Sequence, residues 1–136
     1  MYNCSAYLVG GKEVVEAVKE YINSLAKGET ILNNYKEEEV YLTGGETGIL
    51  LKWVAVKWGD HYNDCSGILD ILGDYQDNIL EDKCVELNEN TCYKLIIIYD
   101  DYNELTDEVY TNDYDDEYLG DFYLVHDVNI PKKVER

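Results

Sequence analysis

Strict alternation opens the chain. Tyr2, Cys4, Ala6 and Leu8 fall on one side of an extended segment and Asn3, Ser5, Tyr7 and Val9 on the other, which is the period of two expected of a half-buried strand. The period then changes. Beyond Gly10-Gly11, Val14, Val15, Val18, Tyr21, Ile22 and Leu25 recur every three or four residues, opposite Glu13, Glu16, Lys19, Glu20 and Asn23, and predict an amphipathic helix that Gly28 is placed to end. A polar passage through Asn33-Asn34 leads to a short strand at 38–43 and a glycine-rich hairpin loop at 44–48. Residues 49–58 are apolar on both faces apart from Lys52 and Lys57, as in a central, well-buried strand.

Gly59-Asp60 breaks that run. Asp60 or Asn63 can cap a second helix, on which Cys65, Ile68, Leu69, Leu72 and Tyr75 share one face, although Gly67 and Gly73 weaken it. Strands are expected at 83–87 and 91–99 around Asn88-Glu89-Asn90. A last one is expected at 118–125, where Tyr118, Gly120, Phe122 and Leu124 alternate with Leu119, Asp121, Tyr123 and Val125. Between them, the opening of the segment 100–117 has only Leu105, Val109 and Tyr102 as apolar anchors and reads as a loop or short helix. The order β-α-β-β-α-β-β-β predicts a single α+β domain over 1–128, with two helices on one face of a largely antiparallel sheet. Its first part has the element order of a split βαβ or ferredoxin-like sheet, and 129–136 is expected to be a loose C-terminal tail.

Composition agrees with one core, since 136 residues suit one domain. A hydrophobic content of 46% is too rich for disorder despite a net charge of −18. That charge serves solubility, and it also steers the molecule towards positive surfaces and away from nucleic acid and anionic lipid. The first residues show no signal-peptide pattern and no apolar run is long enough to span a bilayer, so a cytoplasmic protein is expected. Cys4, Cys65, Cys84 and Cys92 form no CxxC pair and read as reduced core residues without structural zinc.

Motifs for catalysis or cofactors are absent. From Asp113, the sixth position of an EF-hand loop would be Tyr118, where glycine is needed, so no metal site is expected. His61 and Cys65 are four residues apart, but Cys65 shares an apolar face with Ile68 and Leu69 and reads as a small hydrophobe. Gly10-Gly11 belongs to neither GxGxxG nor GxxxxGK[ST] and reads as a tight turn. No cofactor and no enzymatic activity are expected.

What distinguishes the chain is where its acids lie. Segment 100–127 holds eleven of the 29 acids and no lysine or arginine, while all 11 bases lie elsewhere. Carboxylates repeat about every 6.7 Å on one side of a strand, or every 5.4 Å along a helix, and such rows resemble the charge of a nucleic-acid backbone to a site lined with Lys and Arg. Tyrosines interleave with the acids, and tyrosine faces receive arginine through cation–π contacts. The expected contact residues are Asp101, Tyr102, Glu104, Asp107, Glu108, Tyr110, Asp113, Tyr114, Asp115, Asp116 and Glu117. Glu37 to Glu39 and Asp74, Asp77, Glu81 and Asp82 would extend the surface if they shared its side.

In size, charge and the interleaving of Asp113-Tyr114-Asp115-Asp116-Glu117-Tyr118, the chain resembles the small acidic DNA mimics that phages and mobile elements use against restriction enzymes and CRISPR effectors. The resemblance implies a non-enzymatic inhibitor whose partner is a basic, nucleic-acid-binding protein. An immunity protein neutralising a nuclease toxin would need the same physics, and a small enzyme or ligand-binding domain would need a polar pocket between sheet and helices. A homodimer through the edge at 118–125 is a further expectation.

Overall fold

The computed structural model describes residues 3–24, 35–57, 62–101, 104–115, 117–119, 123–124 and 129–130. Along the chain run β1 (Asn3–Gly10), α1 (Lys12–Ser24), β2 (Lys36–Tyr41), β3 (Thr47–Lys57), α2 (Tyr62–Tyr75), β4 (Tyr93–Asp101) and β5 (Glu104–Thr111), then the two-residue strands β6 (Tyr123–Leu124) and β7 (Asn129–Ile130). Residues Gln76–Glu81 continue α2 as a π-helical turn.

Five strands form one antiparallel sheet in the order β2-β3-β1-β4-β5. β1 and β2 are parallel to each other because both run against β3, which lies between them; β3 and β4 are likewise split by β1. The expected split βαβ arrangement therefore occurs twice, interleaved, and β5 extends it by a hairpin from β4. β1 is the central strand, and the apolar run in β3 lies beside it.

Alternation along each strand divides the apolar residues between two cores. Ala6, Leu8, Ile49, Leu51, Trp53, Leu95 and Ile97 face the helices and pack with Val14, Val15, Val18 and Ile22 of α1 and Ile68 and Leu72 of α2. Both helices therefore cover one face. On the other face Val9, Val40, Leu42, Leu50, Cys92 and Leu119 form a smaller cluster, with Tyr7, Leu87 and Tyr118 packed against it.

Gly11 needs its missing side chain for contact more than for a turn. Its N–H donates to the Cys92 carbonyl at 2.9 Å, and a Cβ there would lie 2.3 Å from Asn90 backbone. One turn further on, the Val14 N–H donates to the Asn90 carbonyl at 3.2 Å, satisfying a donor that the start of α1 leaves open.

Three expectations about elements are corrected. The strand expected at 83–87 does not form, because Val85 packs into the helix-side core and Leu87 into the opposite one, whereas alternate residues of a strand point the same way. The Asn88 side-chain carbonyl instead accepts the Asn90 N–H at 2.7 Å, an Asx turn. The expected loop or short helix after residue 100 is strand β5, paired with β4 from Asp101↔Glu104 to Lys94↔Thr111. Residues 117–119 are a turn, and from 118–125 only Tyr123–Leu124 is described as strand, paired with Asn129–Ile130 inside the supposed tail. The edges of the main sheet are therefore β2 and β5, and the expected dimer edge at 118–125 is not one of them.

Candidate interaction surface

Edge strand β5 and the segment after it form one continuous surface. Two consecutive polar residues, Thr111 and Asn112, join them by hydrogen bonds to Tyr93 of β4. Thr111 Oγ1 donates to the Tyr93 carbonyl at 2.7 Å and accepts the Asp113 N–H at 3.0 Å. Asn112 accepts the Tyr93 N–H at 2.8 Å through Oδ1, and its Nδ2 donates to the Thr91 carbonyl at 3.0 Å.

Asp113 then closes the segment on itself. The residue is 1% exposed, and its Oδ1 accepts the Glu117 N–H while Oδ2 accepts those of Tyr118 and Leu119, all at 3.0 Å. Three backbone donors around one carboxylate satisfy a charge that would otherwise be costly to bury. Asp113 therefore leaves the set of surface contacts, and its role is to shape the turn that presents its neighbours. The turn is also tied to the β2–β3 hairpin, where the Thr43 N–H donates to the Tyr118 carbonyl at 2.9 Å and its hydroxyl to the Glu117 carbonyl at 2.5 Å. Leu119, 2% exposed, plugs it into the second core.

The residues carried on this frame face solvent. Tyr114 is 85% exposed, Tyr110 is 36% exposed, and Glu108, Asp115 and Glu117 are also exposed. The Tyr110 hydroxyl donates to the Glu108 carboxylate at 2.5 Å, so these alternate residues stand on one side of β5. Glu104 and Asp107 lie in the same strand, in register with Asp101 and Ile98. Tyr102 and Asp116 lie outside the described residues, as does His61 of the His61 and Cys65 pair.

The acids of β2 are employed differently. Lys52 pairs with Glu38 at 2.7 Å, and Lys19 of α1 pairs with Glu37 at 2.5 Å. The hydrogen bond that Lys19 donates to Glu37 raises the Lys19 pKa, with nearby negative charge adding to the effect. Lys12 approaches Glu39 at 4.0 Å. None of the ion pairs among the described residues involves Glu108, Asp115 or Glu117. The opposite edges of the sheet are therefore both acidic in sequence but unlike in charge.

A groove opens between this surface and α2. It has a volume of about 370 Å³ and is lined by Leu69, Leu72 and Gly73 of α2, Tyr93 of β4, Val109, Tyr110 and Thr111 of β5, and Tyr114. Burial raises the Tyr93 pKa, and the proximity of Tyr114 and of Asp77 adds to the shift. Asp74 is exposed one residue beyond Gly73. In the sequence Gly73 reads only as a weakness of the second helix and Tyr93 only as part of the strand expected at 91–99.

Nucleophilic chemistry finds no support in Cys92, whose thiol is pushed up to about 12 chiefly by burial; a nucleophilic cysteine has the opposite shift. Among the described residues no three His, Cys, Asp or Glu side chains are grouped to hold a metal ion, and no helix is long and apolar enough to cross a membrane. No protein-family model, curated protein or solved structure matches this chain.

Proposed function

We propose that this protein is a non-enzymatic inhibitor that occupies the basic nucleic-acid-binding surface of another protein, such as a CRISPR effector or restriction enzyme, as a mimic of nucleic acid. The observation that supports this reading is the hydrogen-bonded turn of residues 112–115 and 117–119 beside edge strand β5. It buries one carboxylate, Asp113, to hold the backbone, and leaves Glu108, Asp115 and Glu117 exposed beside Tyr110 and Tyr114. A partner meets these groups in place, so less ordering is lost on binding. The carboxylates supply the charge that a Lys- and Arg-lined site recognises, and the tyrosines supply rigid contact area.

The test is charge reversal that spares Asp113. The triple variant Glu108→Lys, Asp115→Lys and Glu117→Lys is compared with wild type for inhibition of duplex DNA binding and cleavage by a panel of CRISPR effectors and restriction endonucleases. Wild type is expected to inhibit a member of the panel, more weakly as salt rises. The triple variant should retain wild-type circular dichroism and lose inhibition. Undiminished inhibition by the variant would rule out mimicry through this surface.

A further inference from the structure

We infer that the tyrosine-lined groove between α2 and β5 is a receptor for one arginine side chain of the partner. The inference rests on the inhibitor reading above and names the chemical group that anchors it. A volume of about 370 Å³ lies at the small end of ligand sites, roughly 300–1,000 Å³, and suits a single long side chain. Leu69 and Leu72 supply an apolar wall for its methylenes. Tyr93, Tyr110 and Tyr114 supply aromatic rings for a planar cation. Negative charge lies beside the groove: Glu108 accepts the hydroxyl of the lining residue Tyr110, and the Asp77 charge adds to the raised pKa of Tyr93. On a chain of net charge −18, such a groove favours a cation over an anion or a neutral apolar group.

Guanidinium fits better than ammonium. It is planar, stacks on aromatic faces and offers paired donors to a carboxylate, whereas ammonium is compact and more strongly hydrated. Gly73 supports a groove kept open. It is exposed, it is absent from the positive-φ residues, and a Cβ built on it meets nothing within 4 Å. Neither backbone conformation nor crowding therefore requires glycine in the body of α2. A side chain there would project into the groove.

The test uses N-acetyl-arginine amide, its neutral isostere N-acetyl-citrulline amide and N-acetyl-lysine amide, titrated into the full-length protein and followed by NMR. The arginine derivative is expected to bind saturably in the millimolar range, shifting resonances of Gly73, Tyr110 and Tyr114. The lysine derivative should bind more weakly and citrulline not at all. Gly73→Leu, which fills the groove, and Tyr114→Ala, which removes its exposed ring, should each weaken arginine binding about tenfold. Equal shifts from citrulline, no shift from arginine, or unchanged arginine binding by Gly73→Leu overturns the proposal. The titration contains no partner protein, so it succeeds or fails independently of the charge-reversal test. If Gly73→Leu loses arginine binding while inhibition of the partner is intact, the partner's arginine is not the occupant and the proposal also fails.

Discussion

Asp113 stands inside the acidic run, yet its contribution is opposite to that of its neighbours. A hydrogen bond to a charged group contributes about 1.5–3 kcal/mol, and leaving a buried donor unsatisfied costs about 1–3 kcal/mol. Asp113→Ala strands three backbone donors and is expected to lower unfolding free energy by about 3 kcal/mol in urea titration. Glu117→Ala, which removes an exposed side chain, should stay within about 0.5 kcal/mol of wild type. Tyr75 presents the reverse case. Its hydroxyl is buried with no hydrogen bond of normal geometry among the described residues, although the Glu13 carboxylate is near enough to act on it, so Tyr75→Phe should change stability by no more than about 1 kcal/mol. Burial first, then the Glu13 carboxylate, raises its pKa to about 12 from 10.0, and burial raises Cys92 to about 12 from 9.0. Folding favours the protonated form of both groups. Stability from them is therefore complete below pH 9 and is lost as pH climbs towards 12. The urea midpoint should fall across that window, and fall less in Tyr75→Phe combined with Cys92→Ala.

At the scale of elements, legibility followed the amount of apolar surface each element buries. β1 and α1 were readable because their periods of two and 3.6 place Ala6 and Leu8, and Val14, Val18 and Ile22, in one core. β5 was not, because an edge strand is paired on one side only. Its alternation is carried by Leu105 and Val109 among acids, and Val109 remains 52% exposed. Val85 and Leu87 misled in the other direction: their spacing suits a strand, but they enter different cores as the chain passes the end of the sheet. The acidic, tyrosine-rich composition singles out the segment 100–117, whereas the frame that Asp113 builds depends on donors four to six residues away, a spacing with no sequence signature. The groove was illegible because its parts come from α2, β4, β5 and the following turn. Gly73 gives this scale its prediction. Glycine inside a helix is less stable than alanine by about 0.8–1 kcal/mol, and nothing near Gly73 obstructs a methyl group. Gly73→Ala should therefore raise stability by close to that amount in urea titration.

For the whole molecule, the decisive quantity is the imbalance of 29 acids over 11 bases. Salt acts on it in two opposing ways. Screening weakens the ion pairs of Lys12, Lys19 and Lys52 with β2, each a partly exposed contact of about 0–1 kcal/mol. It also weakens repulsion among acids that outnumber those pairs many times over, including Glu108, Asp115 and Glu117, which no described ion pair offsets. Repulsion dominates at this net charge, so folding should strengthen as salt rises. Going from about 0.01 M to 0.5 M salt shortens the screening length from roughly 30 Å to below 8 Å. If about 1 kcal/mol of repulsion is relieved, Tm rises by about 3–5 °C for a domain of this size. Binding to a basic partner must respond with the opposite sign, because the same ions screen the attraction that brings the two surfaces together. Paired measurements separate the two effects: calorimetric Tm and association rate, each across one salt series. A rising Tm with a falling association rate is the expected result. In the triple variant Glu108→Lys, Asp115→Lys and Glu117→Lys the rise in Tm should be shallower, since net charge moves from −18 to −12, and any remaining association should depend less steeply on salt. A Tm that falls with salt in the wild type would mean that the lysine pairs, rather than the repulsion, govern the stability of this sheet.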